Sequence, residues 1–285
     1  MKEKNIIVIY HGNCLDGFGG AYAAWKKFGD NALYYPAHDR EKSESDVTGK
    51  ETYIIDFSYL KDVLLEMEKV AKRLVVLDHH IGTKEAVEAV REHIFDNDRS
   101  GAGIAWEYFH PDKKLPRLLA HIQENDIWRF TLPYHKETAA FLSTIPFSFS
   151  FWENLSDEFE DDKTFDKYVE KGRAYAEYFD YVCDYLAKQA ELVKFNGYEI
   201  FAVNAPRLFR SELGHKLALK KSPFAIVWYR NEGKLHFSMR GDGSIDLTKI
   251  AKKYGGSGHK NAAAFRLPLG APLPFQVIDS KPKIP

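Results

Sequence analysis

The sequence predicts an α/β protein: an amino-terminal domain on a parallel sheet, joined by a long helix to a smaller α/β domain. Three observations carry this. Through the first half, short apolar runs alternate with stretches of helical spacing, the pattern of parallel strands joined by crossover helices. A helical pattern then runs over residues 163–193, and from Tyr198 the strand and helix alternation begins again.

In chain order, residues 6–10, 53–56 and 74–78 read as buried strands by their length and β-branched content. Helical spacing over 17–28 and 59–72 separates them, and 101–109 and 115–124 add two more helices. Residues 147–162 change character, aromatics giving way to an acidic stretch, and read as a connection. In the second domain, 199–203, 224–229 and 234–239 read as strands, and 211–220 and 246–254 as helices. Pro268, Pro272, Pro274, Pro282 and Pro285 mark an extended tail. The expected organisation is 1–150, a connection and linker helix over 151–194, a second domain over 195–270, and a Pro-rich tail over 271–285.

Composition narrows the classes. A net charge of −1 gives no overall pull toward nucleic acid or anionic membrane, and it disfavours a long, sequence-independent DNA track. The two cysteines, Cys14 and Cys183, cannot form a disulfide framework. No run approaches the roughly 18 apolar residues of a membrane span. Met1-Lys2-Glu3-Lys4 leads into a strand rather than a signal peptide, so a cytoplasmic protein is expected.

The chemistry gathers at strand ends. The run Val75-Val76-Leu77 ends in Asp78-His79-His80. A parallel strand delivers its last residues to the crevice where α/β proteins place ligands, and three polar side chains there are costly unless something satisfies them. The first strand delivers His11, with Asp16 in the next loop; the second delivers Asp56; Asp126 follows a helical stretch. Crowded carboxylates are driven toward protonation unless a cation neutralises them. Mixed carboxylate and imidazole donors suit Mn²⁺, Zn²⁺ or Fe²⁺ better than Ca²⁺. Two such ions about 3.5–4 Å apart can clamp a phosphoryl group and activate water, without a protein nucleophile. No G-x-S-x-G elbow or catalytic cysteine motif competes with that reading.

In the second domain, Gly255-Gly256-Ser257-Gly258-His259 follows one helix and, with Asn261 and the alanines 262–264, is expected to open another. Such a loop and helix start can hold a phosphate. Arg240, just after a strand, is a second candidate anion contact.

These motifs resemble the DHH phosphoesterase superfamily over nearly the whole chain. The amino-terminal match is His11-Gly12-Asn13-Cys14-Leu15-Asp16-Gly17, Asp56, Asp78-His79-His80 and Asp126; Ser238-Met239-Arg240 and Gly255 to His259 match the DHH-associated domain. The resemblance implies a phosphoesterase with two divalent ions, Mn²⁺ by preference, and an active site between two domains. By that resemblance Asp56 would bridge the ions, His11 would bind the first, and Asp16, His79 and Asp126 would bind the second. Asp78 would orient an imidazole, and His80 would face the substrate phosphate as the second catalytic residue. Arg240, Gly255, Gly256, Ser257, Gly258 and His259 would hold the rest of the substrate. Ser100-Gly101-Ala102-Gly103 matches a helix start beside the site. Many members carry Asp-x-Asp in the first motif, whereas alignment on Asp16 puts Cys14 at the first acid. Either the first ion is held more weakly or Asn13 or Cys14 substitutes, a thiolate favouring Zn²⁺; an inert small residue is the alternative. The departure places the chain nearer the oligoribonuclease and cyclic-nucleotide phosphodiesterase-like branch than the long RecJ-like exonucleases.

The expected activity is hydrolysis of short single-stranded oligonucleotides or related nucleotides to nucleoside monophosphates by metal-activated water. Trp128, Phe130 and Tyr134 are candidate base-stacking groups. An inorganic polyphosphate or pyrophosphate hydrolase is the alternative, with Arg99, Arg129, Lys260 and Arg266 as local cations. A catalytically weak nucleotide-binding protein is the further one. Tyr175, Tyr178, Phe179, Tyr181 and Tyr185 on the long helical stretch serve either a homodimer or an interdomain strut.

Overall fold

A computed structural model describes residues 4–38, 40–42 and 45–281, and the chain divides into two units, Met1–Ala176 and Glu177–Pro285. The first comprises β1 (Ile6–His11), α1 (Leu15–Phe28), β2 (Ala32–Ala37), β3 (Glu51–Ile55), α2 (Lys61–Val70), β4 (Arg73–Asp78), α3 (Lys84–Glu88) and β5 (Glu92–Phe95). It continues with α4 (Gly101–Phe109), α5 (Arg117–Asp126), α6 (His135–Leu142), α7 (Phe149–Glu160) and the first part of α8 (Asp162–Ala187).

The five strands are parallel, in the order β2-β1-β3-β4-β5. Side chains alternate between the two faces of the pleat. Ile7, Ile9, Ile54, Leu74 and Val76 pack with Leu64, Met67 and Val87 of α2 and α3. Val8, Tyr53, Ile55, Val75 and Leu77 pack with Phe18, Tyr22, Ile104 and Leu119 of α1, α4 and α5. Both faces are covered, which is why the strands read as unbroken apolar runs. The direction of winding reverses between β1 and β3. A crevice opens at such a switch point outside the carboxyl ends of the strands, and ligands bind there.

The two edge strands, β2 and β5, escape the sequence reading. β2 contains Pro36, which an edge tolerates because one side of its backbone needs no ladder bond. β5 is four residues long and partly exposed, so its pattern carries little signal. Helices α7 and α8 correct the expected boundary at 150. Trp152, Leu155, Phe159, Phe165 and Val169 belong to the same core as Phe18 and Tyr22, and the first unit runs to Ala176.

His121 of α5 is buried within that core, its ring 5.3 Å from Phe165 and its Nδ1 3.2 Å from Thr138 Oγ1. Burial, reinforced by the Arg117 charge, pushes its pKa down to about 4. Above about pH 6.5 the imidazole is neutral in both folded and unfolded chains, so it imposes no penalty there. As pH falls from 6.5 toward 4 the unfolded chain binds the proton first, and stability drops by about 1.4 kcal/mol per unit. Urea midpoints at pH 7 and pH 4.5 are expected to show an acid loss about 2–3 kcal/mol larger than in His121→Gln. Equal losses in both proteins would remove this assignment.

The second unit holds β6 (Glu191–Phe195), β7 (Tyr198–Asn204), α9 (Arg210–Lys220), β8 (Phe224–Asn231), β9 (Lys234–Gly241), α10 (Leu247–Lys252), β10 (Ser257–His259), β11 (Ala262–Pro268) and β12 (Gln276–Asp279). They form a seven-stranded sheet in the order β10-β11-β9-β8-β7-β6-β12, and α9 makes the crossover between the parallel pair β7 and β8. Three expectations need correction. The helix over 163–193 stops at Ala187, and residues 191–195 form β6, joined to β7 by Asn196-Gly197, both at positive φ. That turn matches the right-handed strand twist, so a hairpin forms. The alanines 262–264 open no helix. They lie in β11, where Ala263 and Phe265 are buried while Ala264 and Arg266 are exposed. Within the tail, 276–279 add an edge strand against β6. Pro282, Pro285 and the amino-terminal Met1, Lys2 and Glu3 lie outside the described residues.

Candidate metal centre

Each ligand-capable side chain of the first unit is positioned by a strand end or a helix end. His11 closes β1 and Asp56 follows β3, so they flank the switch point, with His11 Nδ1 3.3 Å from Asp56 Oδ2. Asp56 donates its backbone N–H to Leu77 O at 2.9 Å and then turns at φ 55°. A left-handed non-glycine residue costs on the order of 1–3 kcal/mol and persists where surrounding contacts over-determine it. Here the turn delivers a buried carboxylate to three imidazoles. Its Oδ1 lies 3.2 Å from His79 Nε2 and 3.9 Å from His80 Nδ1.

Asp78 ends β4 fully buried. Its Oδ1 accepts from His79 N at 2.8 Å and lies 2.7 Å from His80 Nδ1, and its Oδ2 accepts from Thr83 Oγ1 at 2.6 Å. The carboxylate therefore fixes the backbone of both histidines and the ring of His80. Asn97 adds a hydrogen bond to His79 O at 3.0 Å.

Asp16, in the first turn of α1, accepts from the backbone N–H groups of Gly101 at 2.6 Å and Ala102 at 3.0 Å. The amino-terminal end of α4, capped by Ser100, thus steadies this buried negative charge. The glycine at 101 is a packing requirement: a Cβ there would collide with the Asp56 side chain. Gly101→Ala is expected to cost about 1–3 kcal/mol by overpacking. Gly270→Ala, in open space, should be neutral. Urea midpoints check both; a neutral Gly101→Ala would contradict the contact.

Asp126 is the last residue of α5, with Oδ2 3.3 Å from His79 Nε2. The loop after it is tied down by Glu124, whose carboxylate accepts from Thr131 N and Oγ1 and from Leu132 N. Trp128, Phe130 and Tyr134 in this stretch all have positive φ and are exposed.

His79 Nε2 is therefore ringed by carboxylate oxygens of Asp56, Asp126 and Asp16, at 3.2, 3.3 and 3.9 Å. Burial and the neighbouring Asp56 push Asp126 up to about 6. Burial, Asp56 and Asp126 likewise push Asp16 far above the usual carboxylate range. Burial alone would lower His79, but the surrounding carboxylates hold it at about 9. Burial also opposes ionisation of Asp56, yet hydrogen bonds with His11 and His79 keep it below the ordinary range. This is negative charge gathered around a point where only a cation relieves the crowding. Donor atoms of His11, Cys14 and Asp56 lie within 4.8 Å of one another, as do those of Asp16, His79 and Asp126. The donor set fits divalent cations of the transition series. Burial, with Asp56 and Asp16 beside it, pushes the Cys14 thiol up, so without a cation it is a neutral thiol.

In the second unit, register aligns His259, Ala262 and Arg240 across β10, β11 and β9. Paired residues share a face of the pleat, so Arg240 and His259 lie on one face, two strands apart. Arg240 donates to Ser211 Oγ at 2.8 Å and to Met239 O at 2.9 Å, while its buried Nε has no partner among the described residues. Burial and the nearby Arg210 lower it to about 10. Gly255 and Gly258 both have positive φ, and a Cβ at Gly256 or Gly258 would strike β11. These glycines pack a hairpin rather than start a helix, which corrects the expected helix-terminus phosphate site.

The fold is similar to that of solved DHH-domain proteins. Similar solved structures include the DHH domain of a member of a family of ribosomal proteins, at TM-score 0.62 and 14% identity, covering 92% of this chain and 82% of that one. An exopolyphosphatase-related protein from Bacteroides fragilis aligns at TM-score 0.57 and 15% identity, covering 93% and 88%. A pGpG-specific phosphodiesterase from Vibrio cholerae aligns at 0.51 and 14%, covering 93% and 94%. In sequence, the chain is 30% identical over 307 residues to uncharacterized protein R106 of Acanthamoeba polyphaga mimivirus, covering 98% of this chain and 71% of that protein. The chain belongs to the same family as the mimivirus protein. No protein-family profile matches it.

Proposed function

We propose that this protein is a metal-dependent phosphodiesterase that hydrolyses short oligonucleotides or related nucleotides to nucleoside monophosphates. The observation that carries the reading is the ring of Asp16, Asp56 and Asp126 around His79 Nε2, at the carboxyl ends of a parallel sheet. In this reading Asp56 is shared by two ions. His11, with Cys14 beside it, holds one, and Asp16, His79 and Asp126 hold the other. Bound there, divalent ions such as Mn²⁺ supply charge neutralisation for a phosphoryl group and an activated water.

The protein's own groups do the positioning. Asp78 holds His80 through Nδ1 and so fixes the ring that donates to a phosphate oxygen in this reading. Among the described residues Arg240 has no carboxylate as a hydrogen-bond partner, which suits a substrate anion, and His259 shares its sheet face. Across the reaction, water adds over the phosphodiester: oxygen bonds to phosphorus, the ester P–O bond breaks, and the leaving hydroxyl takes the proton. The oligoribonuclease-like branch, a cytoplasmic location and a homodimer belong to the same proposal. Among the described residues no helix is long and apolar enough to cross a membrane. Tyr178, Tyr181 and Tyr185 are exposed on the second unit, where a homodimer face is expected.

The test is a substrate panel with Mn²⁺: a 5′-phosphorylated dinucleotide, a longer single strand, a cyclic dinucleotide and polyphosphate. Monophosphates released from the dinucleotide, with polyphosphate untouched, are expected. The reverse pattern would replace this reading with a polyphosphate hydrolase.

A further inference from the structure

Beside the carboxylate cluster the first unit opens into a cleft of about 440 Å³. Asp16, Asp126 and Cys14 line it, so the cleft borders the candidate metal centre. Its walls are apolar: Leu15, Ile122, Ala139, Leu142, Ile145 and Phe147. Its polar lining comes from Asn13, Asn125 and Ser143, and among the described residues no lysine or arginine lines it.

That combination decides between ligand classes. The volume lies within the roughly 300–1,000 Å³ of small-molecule sites. A second or third phosphate of an inorganic chain would enter apolar walls that carry no cationic side chain, at a large desolvation cost. A flat, uncharged heterocycle meets no such penalty. Phe147 is 44% exposed, and its ring packs on Phe18 at 5.3 Å, so one side is backed by the core and the other is available for stacking. The Asn125 amide donates to His121 O at 3.0 Å, which leaves its carbonyl as an acceptor toward the cleft. Asn13, exposed at φ 54° beside it, adds a second amide able to read a base edge.

We propose that this cleft receives the nucleobase attached to the phosphate that sits at the carboxylate cluster, so the substrate is a nucleoside-bearing phosphodiester and not an inorganic phosphate chain. This rests on the phosphodiesterase reading above and adds the part of the substrate the enzyme recognises.

The test compares the dinucleotide pApA with the same sugar–phosphate backbone in which both adenines are replaced by hydrogen. Steady-state rates with Mn²⁺ are measured for the native protein, Phe147→Ala and Ser143→Trp. One variant removes the stacking surface and the other fills the cleft from an exposed position, so neither depends on the same change being tolerated. The native protein is expected to prefer the adenine-bearing substrate by roughly ten- to a hundredfold in kcat/KM, carried mainly by KM. In both variants that preference should shrink to less than threefold. A native protein that cleaves both substrates equally, or variants that keep the native preference, would overturn the cleft assignment while leaving phosphodiesterase activity in place. Turnover of polyphosphate with no cleavage of pApA would overturn the underlying reading and this one together.

Discussion

Replacing Asp56 with asparagine is expected to lower kcat/KM for dinucleotide hydrolysis a thousandfold or more, about 4 kcal/mol of transition-state stabilisation. Among the described residues Asp56 is the one carboxylate in contact with both His11 and His79, its two oxygens divided between them. The amide keeps the shape but removes the charge, and only one of its two ends can still act as an acceptor. Mn²⁺ affinity measured by calorimetry should fall with the rate, because both proposed ions share this residue. A variant that retained native turnover would remove Asp56 from the centre of the site.

The second large effect is expected at Asp78, to which the proposed reading assigns no ion. Asp78→Ala strips His79 N, His80 Nδ1 and Thr83 Oγ1 of a common acceptor in a fully buried position. Each unsatisfied buried group costs about 1–3 kcal/mol, so a stability loss of roughly 2–4 kcal/mol is expected after partial relaxation. Activity should fall by about ten- to a hundredfold or more, the range for groups that orient metal-site histidines. Asp78→Asn keeps one acceptor and should fall between the native protein and the alanine variant. Equal, small losses in both would mean that the carboxylate contributes bulk rather than orientation. Rates at saturating Mn²⁺ separate this from Asp56: the Asp78 variants should bind metal far better than Asp56→Asn while remaining slow.

Much of the candidate site was legible because its chemistry sits at strand ends. An apolar run that stops in Asp78-His79-His80 can be read without coordinates, since parallel strands hand their last residues to a ligand crevice. His11 and Asp56 followed by the same logic, and the structure brings both beside His79 and His80. What could not be read was the support. Nothing in the spacing shows that Asp16 accepts hydrogen bonds from α4, that Asp56 turns at φ 55°, or that Glu124 ties down the loop after Asp126. These are contacts between residues far apart in the chain, or backbone angles fixed by tertiary packing. Thr83 and Asn97 passed unnoticed for the same reason.

The misread elements have local explanations. Alanines 262–264 favour a helix by intrinsic propensity, and pairing with β9 overrides that preference. The turn at Asn196-Gly197 was a readable hairpin signal, yet the helical pattern before it masked the strand that precedes it. β12 lies in a Pro-rich stretch that marks only where the chain is extended, not that it pairs with β6.

In the proposed centre Asp56 stands between two cation sites, one formed with His11 and one served by Asp16, His79 and Asp126. Equilibrium dialysis of the intact protein against Mn²⁺ tests this arrangement. Two ions bound per chain are expected, falling to at most one in Asp126→Ala and to none of comparable affinity in Asp56→Asn. A native protein that binds one ion or none under conditions where it hydrolyses dinucleotides would contradict it.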